Sequence, residues 1–125
     1  MKTKLGLISL LVVGFVVGSC PAFAHHGNAS YDTEKSVTVT GTVTEFVWAN
    51  PHIFLKVDAK DESGNIVHWV IESQNVVNQV NAGWSKGMFK PGDQVVIDVT
   101  PAKNNRPIGR FKGQIVINGQ VFKPS

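Results

Sequence analysis

The stretch Val37-Thr38-Val39-Thr40-Gly41-Thr42-Val43-Thr44-Glu45-Phe46-Val47-Trp48 decides the fold of this chain. Val37, Val39, Val43 and Val47 fall on one face, and Thr38, Thr40, Thr42 and Thr44 on the other. A period of two is the repeat of a strand with one buried side. Gly41 in its middle marks a bulge or a sharp bend, as a small barrel requires. Asn50-Pro51 ends the strand. On this register Glu45 is the one acid of the inward face, while Phe46 and Trp48 lie outside it.

Downstream, residues 52–59 form a second strand with Ile53, Leu55 and Val57 inward and His52, Phe54, Lys56 and Asp58 outward. Asp61-Glu62-Ser63-Gly64-Asn65 is a hairpin turn. The third strand, 66–72, is apolar on both faces, with Val67, Trp69 and Ile71 on one side and Ile66 and Val70 flanking His68 on the other. Over 74–84 the period changes. Val76, Val77, Val80 and Trp84 fall at helical spacings, and Gly83 breaks the run. Lys90-Pro91-Gly92-Asp93 is a turn. Strand four, 94–100, buries Val95, Ile97 and Val99. Strand five spans 110–117, and Asn118-Gly119 is a strong hairpin signal before a short closing strand. Three strands, a short helix and two further strands match the order of an OB-type barrel. The expectation is therefore a mainly β protein: a small OB-like barrel of about five strands with one short helix between strands three and four. An immunoglobulin-like sandwich wants about seven strands and no mid-chain helix.

Upstream, residues 1–24 read as a secretory signal peptide. Lys2 and Lys4 form the basic start, residues 5–18 the apolar run, and Ala22-Phe23-Ala24 the cleavage box. The apolar run is short for a membrane span. A second cut is possible: Val17-Gly18-Ser19-Cys20 resembles a lipoprotein box, which would leave a lipid anchor on Cys20. Pro21 behind the cysteine favours the cut after Ala24. Either way the chain is expected in the periplasm. Residues 25–36 are then a polar arm and 37–125 the single barrel domain. The chain has 12 Lys and Arg against 9 Asp and Glu. Lys2 and Lys4 leave with the leader, so the working domain is nearly balanced, with no basic run. Nucleic acid is not expected as a partner on that ground.

Cys20 is the only cysteine. After cleavage at Ala24 a metal site must use histidine, carboxylate or backbone groups. That cut makes His25 the first residue, with His26 behind it. A free amine, two imidazoles and an ionisable amide suit Cu(II). His52 is the further donor expected from the folded body, and Asp32 a possible carboxylate ligand. The leading expectation is a Cu(II) carrier or sensor. The alternative is an OB-like module that binds a small molecule, glycan or protein through Phe46, Trp48, Asn50 and Phe54, with the histidines incidental. His52 is equally readable as a histidine that bonds a loop carbonyl, and His68 as an edge-strand histidine. No nucleophile elbow and no phosphate-cradling glycine loop is present, so no enzyme signature emerges.

These motifs together resemble a family of small exported bacterial proteins with a domain of unknown function. Its pattern corresponds here to His25-His26, Tyr31-Asp32, Gly41-Thr42-Val43, Trp48 to His52, Trp69, Lys90 to Asp93 and Asn118-Gly119. The resemblance implies export and a small β-fold and brings no activity with it. The terminus alone is similar to that of CopC-type periplasmic copper carriers.

Overall fold

The structure, a computed structural model, describes residues 30–123. The leader, His25 and His26 lie outside these described residues. The elements are β1 (Val37–Val47), β2 (Phe54–Lys60), β3 (Ile66–Glu72), α1 (Val76–Asn81), β4 (Gln94–Pro101), β5 (Ile108–Ile117) and β6 (Gln120–Val121). The strands hydrogen-bond in the order β3-β2-β1-β4-β5-β6, and a parallel β3–β5 pairing closes the sheet. The result is a closed five-stranded OB-type barrel with a short appended hairpin strand.

β1 belongs to both halves of the barrel. Its residues 37–42 pair with β4, and 41–47 with β2. Gly41 stands where the two ladders overlap. A Cβ there would sit 2.2 Å from the Asp58 carbonyl oxygen, so the crossing needs glycine. The expected bulge is three residues further on. Between Val43 and Glu45 the register with β2 shifts, leaving Thr44 without a partner. The extra residue flips the alternation. Val39 and Val43 point into the core, but beyond the bulge Phe46 and Trp48 pack against it. Glu45 is accordingly exposed and pairs with Lys56 rather than facing inward.

The core is aliphatic at its centre: Val43, Leu55, Val57, Ile71, Val95, Ile97 and Val99 are fully buried. One end is aromatic. Trp84 meets Phe111 edge-on at 4.9 Å, and Phe89 meets Phe46 at 5.0 Å. α1 is shorter than the helical spacing predicts. Asn75 caps it by accepting from the Asn78 N–H at 2.9 Å. Gly83 at φ 82° ends it before Trp84. The turns follow their residues. Asp61 accepts from the Ser63 and Asn65 amides, and Asn118 and Gly119 both take positive φ, as a two-residue hairpin requires.

Candidate functional site

The polar centre of the molecule lies where the N-terminal arm meets the ends of β3 and β5. Tyr31 forms an antiparallel bridge with Ala102. On either side, the Asp32 amide donates to the Pro101 carbonyl at 2.9 Å and the Lys103 amide to the Ser30 carbonyl at 3.1 Å. This docking buries Tyr31 and directs its hydroxyl to Glu72 Oε2, to which it donates. The Arg110 guanidinium lies 4.4 Å from the centre of the ring. Burial pushes the Tyr31 phenol well above its ordinary pKa. The bond to Glu72 and that carboxylate's charge push the same way, and Arg110 opposes them.

Glu72 is the last residue of β3 and is itself buried. It stands across from Phe54 on β2 and Arg110 on β5. Its second oxygen faces His52, whose Nδ1 lies 2.7 Å from Oε1 and 3.2 Å from the Ser73 carbonyl. Both neighbours are acceptors, so Nδ1 carries the proton and donates. Nε2 is left for another partner. The β1–β2 loop is held in place for this. Ser73 N–H donates to Ile53 O at 2.8 Å, Ile53 N–H to Gln74 O at 3.2 Å, and Val76 N–H to Asn50 Oδ1 at 3.0 Å. His52, Glu72 and Tyr31 thus form one connected line of polar groups.

Beside that line is a recess of about 530 Å3. Phe54, Val70 and Ile108 supply its apolar walls, Tyr31 and Glu72 one polar side, and Lys103, Asn104 and Arg106 of the β4–β5 loop its rim. The loop is fixed rather than draped. The Val70 amide donates to Pro107 O at 3.0 Å, the Arg106 amide to Asn104 Oδ1 at 3.1 Å, and Asn105 takes φ 58°. The face of strands two and three together with the loop between strands four and five is where OB barrels take ligands. A volume of this order is that of a small-molecule site.

The residues singled out from sequence are distributed unevenly. His52 belongs to the polar line, Phe54 lines the recess and Asn50 secures the start of α1. Asp32 is engaged by Lys35 at 3.0 Å, which holds its carboxyl below the usual range, and it lines a neighbouring recess instead. Phe46 and Trp48 do not form an outward stacking surface, because the Thr44 bulge turns them onto the core. His68 is exposed and faces Asp58 at 2.6 Å. Among the described residues no three His, Cys, Asp or Glu side chains gather as a metal site. Sequence reading did not find Glu72, Lys103, Arg106 or Arg110, and met Tyr31 only as part of a family pattern.

The sequence model of DUF6152, a family of unknown function, matches residues 13–111. No curated protein matches the sequence. A crystal structure of the mitochondrial single-stranded DNA binding protein Rim1 from S. cerevisiae is similar at TM-score 0.50 and 15% identity, covering 66% of this chain and 92% of that one. A selenomethionine-labelled crystal of the same protein is similar at TM-score 0.46 and 16% identity, covering 73% and 97%. The first likeness is one of fold, and it agrees with the strand order. It also corrects the expectation drawn from charge. A single-stranded DNA binding protein is built on this barrel, so a balanced total charge does not exclude nucleic acid as a partner.

Proposed function

The chain belongs to the family of unknown function DUF6152, and we propose that it is an OB-type binding module whose ligand carries a flat apolar body and an anionic group. The observation that carries this reading is the recess between the β2–β3 face and the β4–β5 loop, with apolar walls, the hydrogen-bonded Tyr31–Glu72 pair on one side and Lys103 and Arg106 at its rim. Phe54, Val70 and Ile108 offer contact area to a ring, and Lys103 and Arg106 offer charge to an anion. The hydrogen-bonded loop backbone fixes where Lys103 and Arg106 leave the chain, so the ordering cost of binding falls on their side chains and not on the loop.

The test is amide chemical-shift mapping with two ring-bearing anions, naphthalene-2-sulfonate and thymidine 5′-monophosphate. Shifts are expected at Phe54, Val70 and residues 102–108, and Arg106→Ala should weaken both ligands. Shifts scattered over the surface, or none at saturating ligand, would sink the proposal.

A second reading is a Cu(II) site, favoured by one feature: His52 Nδ1 is committed to a buried carboxylate, which leaves Nε2 as the ring's remaining donor atom. That is how metal-binding histidines are usually held. The further donors would be His25, His26 and the mature amine, which lie outside the described residues and depend on export and cleavage after Ala24. The docked Ser30 is four residues from His26, a reach of at most about 14 Å. Competitive Cu(II) titration checks it. The processed protein should bind more tightly than a peptide of residues 25–36, and His52→Ala should bring the two together. Equal affinities from the start would leave only a histidine-rich tail.

A further inference from the structure

We infer that the β4–β5 loop serves two adjacent subsites, and that the ligand is a short single strand of nucleic acid laid across it. The inference deepens the binding reading above and rests on it. A second recess, of about 340 Å3, opens on the other side of the same loop. Val37, Val67, Trp69, Pro101 and Pro107 supply its apolar lining. Trp69 and Val67 pair with the buried Val57 and Ala59 of β2 and so share their inward-facing side of the sheet. Trp69 packs on the core with part of its surface and lines the recess with the rest.

Lys103 and Arg106 line both recesses. Asp32 of the second recess is taken up by Lys35, so the rim that the recesses share is net cationic. Each recess therefore has its own aromatic wall, Phe54 on one side and Trp69 on the other, with the cations between. A ligand that matches this layout alternates flat rings with anions. Single-stranded nucleic acid does so, one base and one phosphate per unit, and binds through base stacking beside a basic track. An acidic glycan has the charge. Its ring hydroxyls, however, would lose water against walls of valine, proline, isoleucine and phenylalanine without replacement partners.

The test measures binding of oligothymidylates of one to six nucleotides to the purified protein. Affinity should rise by about tenfold or more once the strand spans both subsites, then level off. The logarithm of the binding constant should fall linearly with the logarithm of salt, and Lys103→Ala should reduce that slope by about 0.7. Trp69→Phe should shrink the gain with length, while His68→Ala, on the same strand but facing Asp58 outside both recesses, should retain it. If the monophosphate binds as tightly as the hexamer, the two-subsite inference fails and the single-recess reading stands. If neither the thymidylates nor naphthalene-2-sulfonate binds in the recess, both readings fail. Binding of an oligouronate of equal length, with no binding of the thymidylates, would overturn the nucleic-acid assignment alone.

Discussion

Glu72 concentrates the chemistry of single residues in this molecule. It is buried at the end of a strand and receives Tyr31 on one oxygen and His52 on the other. A hydrogen bond to a charged acceptor contributes about 1.5–3 kcal/mol, and Tyr31→Phe should cost about that in urea unfolding. The same substitution has a signature in pH. Folding raises the Tyr31 pKa, so the folded chain holds the phenol proton more tightly than the unfolded one. The stability this adds is complete below the unfolded tyrosine value, about 10, and is lost as pH rises toward the folded value. The difference in stability between the wild type and Tyr31→Phe should therefore be constant at neutral pH and narrow above about pH 10. Tyr31 is the only tyrosine, so phenolate absorbance follows it alone. A phenol that titrates at the ordinary value in the folded protein would show the bond to Glu72 is not made. Sequence could not reveal this pairing. Tyr31 and Glu72 are forty-one positions apart, and nothing local marks either as a partner. The available hint was an acid closing an otherwise apolar strand.

At the scale of elements, the period-two pattern is enough to place five strands and the inward faces of the second and fourth. Ile53, Leu55, Val57, Val95, Ile97 and Val99 are all buried as the alternation requires. What the pattern cannot carry is an insertion in its own phase. The Thr44 bulge lets β1 serve two partners, and it reverses every face after it, which is why Glu45, Phe46 and Trp48 came out on the wrong sides. Gly41 signals a bend in the sequence, and its physical basis is steric. Gly41→Ala should destabilise by about 1–3 kcal/mol or prevent folding, because the methyl group meets the Asp58 backbone. Gly87 has open space at its Cβ position, so Gly87→Ala should stay within about 0.5 kcal/mol of the wild type. Thermal melts of the pair test the crossing; equal melts would mean β1 does not pass so close to β2. Val43→Asp provides the companion test of register. Val43 is fully buried before the bulge, so the variant strands an unpaired charge and should not fold.

At the scale of the whole molecule, the candidate site sits on the weakest seam of the barrel. The antiparallel ladders of β1–β2 and β2–β3 run through six and seven residue pairs, whereas β3 and β5 meet through three, Val70↔Ile108 to Glu72↔Arg110. The recess lies against that seam, with Val70, Glu72 and Ile108 in its wall. Barrel closure and ligand contact thus share residues. Local opening should begin there, because few bonds must break and the neighbouring segments are a loop and the arm. In hydrogen exchange the Val70 and Ala102 amides should therefore exchange faster than those of Leu55 and Val57 in the free protein. A ligand that bridges the β2–β3 face and the loop binds only the closed seam, so it stabilises by mass action. At a hundredfold excess over Kd that amounts to about 2.7 kcal/mol, or roughly a hundredfold slowing of exchange at the seam. Amides whose exchange already requires global unfolding should slow by the same factor, whereas the Asn118-Gly119 hairpin, which lines neither recess, should slow less wherever it opens independently of the seam. Protection at the hairpin without protection at Val70 would place the ligand elsewhere and separate binding from closure.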